Sequence, residues 1–258
     1  MTKPRSDRPP ARPPGGTVRI AMWSGPRNIS TAMMRAWENR ADTQVTDEPF
    51  YAAYLATTGL DHPMRAEVLA AQSTDWDECA RLCAEGPPGG VDAPIHFQKH
   101  MCQHMVPETP LGWMGACRHA FLIRPPAAVA ASFHKGWPQM RADDLGFRRQ
   151  AELFDHVCDL TGAVPPVIEA RDVLEAPEAV LQALCAALGV PFDPAMLAWP
   201  PGPRPSDGVW AAHWYARVRE STGFARNHPP GQVPEGLEGI VAACRPHYER
   251  MSAHKLKV

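Results

Sequence analysis

The stretch VRIAMWSGPRNISTAMMRAW, from Val18 to Trp37, constrains the fold most, because an apolar run, a Gly-Pro break and an amphipathic segment follow one another directly. Val18, Ile20 and Met22 predict a buried strand over Val18 to Ser24. Gly25 and Pro26 end it, and Ser30 or Thr31 stands where a cap would open a helix carrying Ala32, Met33, Ala36 and Trp37. The first N–H groups of such a helix have no intrahelical acceptor, and together with the positive end of the helix dipole they favour an anion. Ser24, Gly25, Pro26, Arg27, Asn28, Ile29, Ser30 and Thr31 therefore form a candidate phosphate cradle. A nucleoside-triphosphate P-loop would need a second glycine followed by Lys and Ser or Thr. Here the cation is Arg27, and no second glycine follows Gly25.

A second segment, RHAFLIRPPAAVAASFHKGW from Arg118 to Trp137, repeats the design. A strand ends at Ile123, Arg124 sits at its carboxyl end, and Pro125 and Pro126 open a helix that contains Ser132. A guanidinium and a hydroxyl so placed can grip one phosphate from two sides. Two anion sites imply a ligand with two separated phosphates.

These residues resemble the sulfotransferases that use 3′-phosphoadenosine-5′-phosphosulfate (PAPS). In that family a strand-loop-helix binds the 5′-phosphosulfate, and an Arg followed eight positions later by a Ser binds the 3′-phosphate. Gly25 to Thr31 is similar to the first motif, with Arg27 where many members carry Lys, and Arg124 and Ser132 match the second in type and spacing. The segment ARDVLEAPEAVLQALCAALGVPFDPAMLAW, from Ala170 to Trp199, is similar to the region that follows the last core strand of bacterial members. The resemblance covers most of the chain from Val18 onward and implies PAPS as donor, a P-loop-NTPase-like α/β fold and no metal.

At 258 residues the chain is long enough to bury a substantial core within one α/β unit, here expected over 18–258. A net charge of −2 argues against nucleic-acid or anionic-membrane partners, so the cations that matter must be local. Seven cysteines without a CxxC pair suit reduced thiols and a cytoplasmic setting better than a disulfide framework or zinc site. Residues 1–17, basic and proline-rich without an apolar core, read as a disordered tail and not as a secretory signal. No stretch approaches the roughly 20 apolar residues of a membrane span. EGPPGG, from Glu85 to Gly90, reads as a surface loop, and WPPGPRPSDG, from Trp199 to Gly208, as a lid across the ligand face.

The coarse order is strand Val18 to Ser24, helix Ser30 to Arg40, strand Thr43 to Thr46, helices within Met64 to Glu85, and strand Ile95 to Lys99. Strand Ala120 to Ile123, helix Pro126 to Lys135, helix Asp143 to Thr161, strand Val167 to Ala170 and helix Pro177 to Leu188 follow, with a helical end from Pro234. Alternating strands and helices predict a parallel sheet covered on both faces, with Gly25, Glu48, Lys99 and Arg124 converging beyond its carboxyl edge.

Sulfuryl transfer needs positioning and cationic stabilisation of negative oxygens, for which Arg27 is the first candidate, and a base for the acceptor proton. Glu48, in VTDEPFY, resembles a catalytic Glu of some bacterial and glycan sulfotransferases. Lys99, His100 and His104, in HFQKHMCQHM, form a rival cluster: cytosolic sulfotransferases carry a Lys and a His near this point at other spacings. His96, His100 and His104 recur every fourth position, but they straddle a predicted strand end, which does not suit a helical metal site. Trp210, Trp214, Tyr215 and Val218 fall on helical spacing and read as core packing. The family's Lys-rich C-terminal segment is absent, and Arg204, His213 and Arg217 are the cations left to replace it. A P-loop nucleotide kinase and a catalytically silent nucleotide-binding protein remain as alternatives. A silent protein would leave Glu48 and Lys99 without converging geometry.

Overall fold

The computed structural model describes residues 16–107, 109–225, 233 and 235–258. Most of the expected tail, and the expected helix start at Pro234, lie outside the described residues. Five parallel strands, β1 (Val18–Ser24), β2 (Thr43–Asp47), β3 (Ile95–Met101), β4 (Arg118–Ile123) and β5 (Val167–Glu169), form one sheet in the order β2-β3-β1-β4-β5. The crossovers carry α1 (Ser30–Glu38), α2 (Tyr51–Thr58), α3 (Arg65–Ala71), α4 (Trp76–Glu85), α5 (Pro126–Phe133) and α6 (Phe147–Thr161). After β5 come α7 (Ala170–Glu175), α8 (Pro177–Ala187), α9 (Ala211–Trp214), α10 (Ala216–Glu220) and α11 (Glu238–Ser252).

Parallel strands require covered faces, and side-chain alternation along β1 supplies both coverings. Ile20 and Met22 join Trp37, Phe97, Leu122 and Leu181 on one side, while Ala21 and Trp23 join Phe50, Phe121 and Phe154 on the other. With β3 on one flank of β1 and β4 on the other, the chain reverses its direction of travel across the sheet at β1. That reversal opens a crevice at the carboxyl ends of the strands, where α/β sheets bind ligands. The fold is the P-loop-like α/β architecture expected. No helix among the described residues is long and apolar enough to cross a membrane.

The differences from the expected elements have local causes. Helix α2 was not anticipated; it begins two residues after Pro49, and its YAAYLATT sequence buries Tyr51, Tyr54 and Leu55 without an amphipathic stripe. The helix expected over Asp143 to Thr161 is broken at Gly146, whose φ of 72° separates a 3₁₀ turn, Ala142–Leu145, from α6. Strand β3 runs past Lys99 to Met101, and β2 past Thr46 to Asp47, so that the two are paired residue for residue up to Asp47 beside Lys99. Strand β5 stops at Glu169, because Ala170 already belongs to α7. Residues Trp199 to Gly208 do not form a lid. They are fastened to α1, with Asp207 accepting from Arg35 at 2.6 Å and Ser206 donating to Glu38.

Candidate active site

The loop after β1 is shaped by backbone demands. A Cβ on Gly25 would stand 2.6 Å from the Leu145 carbonyl oxygen, so only glycine admits that approach. Arg27 and Ile29 then adopt left-handed backbone, at φ 59° and 56°. Ile29, not Ser30 or Thr31, is the N-cap residue of α1, and no side chain caps this helix. The expected cap is thus replaced by a backbone turn, and the N–H groups of residues 27–32 donate to no protein carbonyl among the described residues. Consecutive N–H groups in such a turn form an anion-binding nest, and strained backbone in a non-glycine loop is typical of ligand sites. Asn28 ties the loop to β4 by donating Nδ2 to the Leu122 carbonyl at 3.1 Å.

A cavity of about 330 Å³ lies over this loop, with Pro26, Arg27, Asn28, Ile29, Ser30 and Thr31 on its wall. Ser24 and Gly25 do not reach it; Ser24 is buried against Met101, and both support the loop from beneath. Arg124, Ser132 and Arg217 share the cavity with Arg27. Arg27 Nε donates to Ser132 Oγ at 3.1 Å, and an Arg124 guanidinium nitrogen donates to the Arg27 carbonyl at 2.6 Å. The two expected anion sites are therefore joined, with the Arg27 side chain drawn toward the Arg124–Ser132 side. Among the described residues no carboxylate pairs with Arg27, Arg124 or Arg217. Burial and then Arg217 lower the Arg27 pKa; burial, Arg27 and Arg217 lower that of Arg124. Three converging guanidiniums without counter-charge make a site that favours an anion strongly. Arg204 and His213 do not line it: Arg204 donates to the Pro200 carbonyl, and His213 packs edge-on against Trp214.

Next to this cationic region is a buried carboxylate-lysine cluster. Asp47 and Lys99 are cross-strand neighbours, which puts their side chains on one face of the sheet. Lys99, only 1% exposed, donates to Asp47 Oδ1 at 2.8 Å, to Tyr215 OH at 2.7 Å and to Glu48 Oε1. Tyr215 OH in turn donates to Asp47 Oδ2 at 2.7 Å, and Trp210 Nε1 donates to Tyr215 OH at 3.0 Å. Burial alone would lower the Lys99 pKa, but Asp47 and then Glu48 outweigh it and hold the ammonium well above its ordinary value. Asp47 and Glu48 thus favour the charged form of Lys99. For Glu48, burial raises the carboxyl pKa and Asp47 adds to the rise, while Lys99 opposes both. Glu48 sits on the cavity wall with φ 42°, and its Oε2 makes no hydrogen bond among the described residues, His104 Nδ1 being 4.0 Å away.

The histidines of the rival cluster part company. His100 follows Lys99 in β3 and so faces the other side of the sheet, where it stacks on Trp23 at 4.5 Å and bonds Gln98 Oε1 at 3.1 Å. It does not line the cavity, so the expected cluster of Lys99, His100 and His104 is divided between the two faces of the sheet, β3 running on to Met101 instead of ending at Lys99. His104 does line it, sandwiched between Tyr51 at 4.4 Å and Tyr54 at 4.8 Å. Burial, followed by His62 and Lys99, pushes its pKa well below the usual value, so its ring is neutral. His96 bonds Thr46 Oγ1 at 2.7 Å and is linked to His100 through the Gln98 side chain, whose Nε2 is 3.3 Å from His96 Nδ1.

Sequence reasoning overlooked Asp47 and read Tyr215 and Trp214 as core. Tyr215 is buried, yet its hydroxyl closes the Lys99 cluster, and Trp214 lines the cavity beside Arg217. The acidic pair Asp47-Glu48 at the end of a strand was a usable signal; nothing local pointed to Tyr215.

Comparisons with known proteins give the chain's family and fold relatives. The sequence pattern of a sulfotransferase domain matches residues 18–255. Two Arabidopsis thaliana proteins, branched-chain-amino-acid aminotransferase-like proteins 1 and 2, are 36% and 34% identical over 91% of the chain. The chain spans only 42% and 41% of their lengths, so their names describe proteins more than twice as long. Among solved structures, a sulfotransferase from Alicyclobacillus acidocaldarius aligns over 94% of this chain and 98% of its own, at 13% identity and a TM-score of 0.56. The sulfotransferase domain from the curacin biosynthetic pathway aligns over 93% and 99%, at 16% identity and a TM-score of 0.52. At such identities the two structures speak for the fold alone, whereas the domain match extends from the first residue of β1 almost to the end of the chain: this chain belongs to the sulfotransferase family.

Proposed function

We propose that the chain transfers a sulfuryl group from PAPS to a hydroxyl, or an amine, of a small-molecule acceptor. The observation that carries this reading is the convergence of Arg27, Arg124 and Arg217, unpaired by any carboxylate among the described residues, on the cavity that Glu48 also lines. The residues fit a donor with two anionic ends: the N–H groups of residues 27–32 and Arg27 would hold the phosphosulfate, and Arg124 and Ser132 the 3′-phosphate. When bound, the donor supplies an activated sulfuryl group with a phosphate leaving group.

The protein's own groups do the rest. Glu48 Oε2, which makes no hydrogen bond among the described residues, accepts the acceptor's proton as the new bond forms, and burial makes that carboxylate more basic than one in water. Lys99 fixes Oε1 and thereby the orientation of the carboxylate. The loop N–H groups and guanidiniums neutralise charge on the departing phosphate. Glu48 and Lys99 meet on one cavity with the anion site, which supports an enzyme over a silent binding protein. Neutral His104 sits beside Glu48 as its packing neighbour.

The test is calorimetric titration with 3′,5′-bisphosphoadenosine, 5′-AMP and ATP, followed by a screen of hydroxyl and amine compounds with labelled PAPS. The bisphosphate binds most tightly if the reading holds. Equal affinities for the bisphosphate and AMP overturn it.

A further inference from the structure

Asp47 does not line the cavity, is 5% exposed and is joined to three separate parts of the chain. Its Oδ1 accepts from Lys99 at 2.8 Å, and its Oδ2 accepts from Tyr215 OH at 2.7 Å and from the Gly208 N–H at 3.2 Å. Tyr215 lies between α9 and α10, and Arg217 follows it by one helical half-turn. We propose that Asp47 is a positioning residue: it clamps Lys99 and the Tyr215 hydroxyl together, and so ties the proton-accepting Glu48 to the segment that brings Arg217 over the anion site. The inference rests on the sulfuryl-transfer reading for its catalytic consequence, and on geometry alone for the clamp.

The charge count explains why a carboxylate is used. Lys99 spends its three protons on Asp47, Glu48 and Tyr215, so the cluster holds one cation against two carboxylates. With Glu48 as the only carboxylate, Lys99 would neutralise it fully and leave a weak base. The second negative charge keeps Glu48 basic, and Asp47 does raise its pKa. Besides Asp47 on its own chain segment, the groups facing Glu48 are Lys99 from β3, Tyr215 from the α9–α10 turn, His104 from the turn after β3, and Tyr51 from α2. Burial, followed by His62 and Lys99, pushes the His104 pKa down, and burial and then Glu48 itself push that of Tyr51 further up.

Asp47→Asn tests this with little change of shape, because the amide oxygen still accepts one bond. The carboxylate of Glu48 is followed by carbon-13 NMR against pH in the full chain, with Glu48→Gln identifying its signal. The expected result is a Glu48 midpoint at lower pH in Asp47→Asn, and a fall in bisphosphoadenosine affinity as Arg217 loses its anchor. Once an acceptor is in hand, the acid limb of the rate profile moves the same way, and kcat falls roughly tenfold, less than the roughly 10²-fold to 10⁴-fold of removing the base. Tyr215→Phe, which keeps both carboxylates, should reproduce the affinity loss. A Glu48 midpoint unmoved in a folded Asp47→Asn protein overturns the proposal, as does unchanged affinity in both variants. Absence of any sulfuryl transfer with the NMR shift intact would overturn the transfer reading and leave the clamp standing.

Discussion

Arg124→Ala separates the two anion sites most cleanly. In the folded chain Arg124 is cornered by Arg27 and Arg217, without a carboxylate partner among the described residues, and its protein hydrogen bond goes to the Arg27 carbonyl at 2.6 Å. A charge-assisted bond from such a guanidinium to a terminal phosphate contributes about 1.5–3 kcal/mol, which is roughly a 10-fold to 160-fold loss of affinity for 3′,5′-bisphosphoadenosine. For 5′-AMP, which lacks the 3′-phosphate, the change should stay within roughly threefold, since at the 5′ end only the indirect support of the Arg27 carbonyl is removed. Arg124→Lys keeps the charge and loses the planar fork, so it should fall between wild type and Arg124→Ala. Isothermal calorimetry at fixed ionic strength reads all of these directly, with thermal unfolding as the control. The free protein should be little destabilised, because removing one of three crowded cations offsets the lost hydrogen bond. Equal losses for the bisphosphate and AMP, or no loss for either, would refute the assignment of Arg124 to a second phosphate.

Glu48→Gln should keep nucleotide affinity and lose kcat by roughly 10²-fold to 10⁴-fold, checked by turnover beside calorimetry; unchanged turnover removes Glu48 as the base. Gly25→Ala should destabilise the fold by about 1–3 kcal/mol in urea titration, because the added Cβ meets the Leu145 carbonyl at 2.6 Å, and a neutral result would mean that the backbone there yields easily. His96 and His119 are neutral in the folded chain, each pushed down to about 4, chiefly by burial. Their unfolded forms bind protons near the ordinary value of 6.5, so the stability they contribute is complete above that pH and is lost as pH falls from 6.5 toward 4. The expected loss is on the order of 3 kcal/mol for each. Urea midpoints measured from pH 8 to 4 should be flat at first and then decline, with a shallower decline in His96→Gln; an identical slope in that variant contradicts the account.

Much of the architecture was legible because parallel sheets write themselves as short apolar runs between helical segments, and the loop after β1 and the Arg124 strand end carried their own turn signals. The errors came from strand ends and from distance. Reading β3 as ending at Lys99 left His100 in a loop beside it; extended to Met101, strand alternation sends the two side chains to opposite faces. The cap expected at Ser30 or Thr31 failed because two left-handed residues, Arg27 and Ile29, turn the chain without side-chain help. Tyr215 meets Lys99 across 116 positions, and no local pattern encodes such a meeting. Helical spacing gave the right reading of Trp210, which is buried, and an incomplete one of Tyr215, whose ring packs as core while its hydroxyl bonds charged groups.

The strand order has a temporal consequence. Because β3 inserts between β2 and β1, and the Tyr215 hydroxyl closes the cluster at their ends, the cavity draws on residues from Pro26 to Arg217 and beyond. Every adjacent strand pair is parallel, so none can zip up from a hairpin, and contacts of long sequence separation must be made before any part of the site exists. On the ribosome, the anion loop emerges nearly two hundred residues before Tyr215 and Arg217. Until then Lys99 lacks its third acceptor, and the nascent chain carries an unfinished site. A nick in an exposed loop such as Glu85 to Gly90 would divide that site between two fragments, neither of which holds both the anion loop and Lys99.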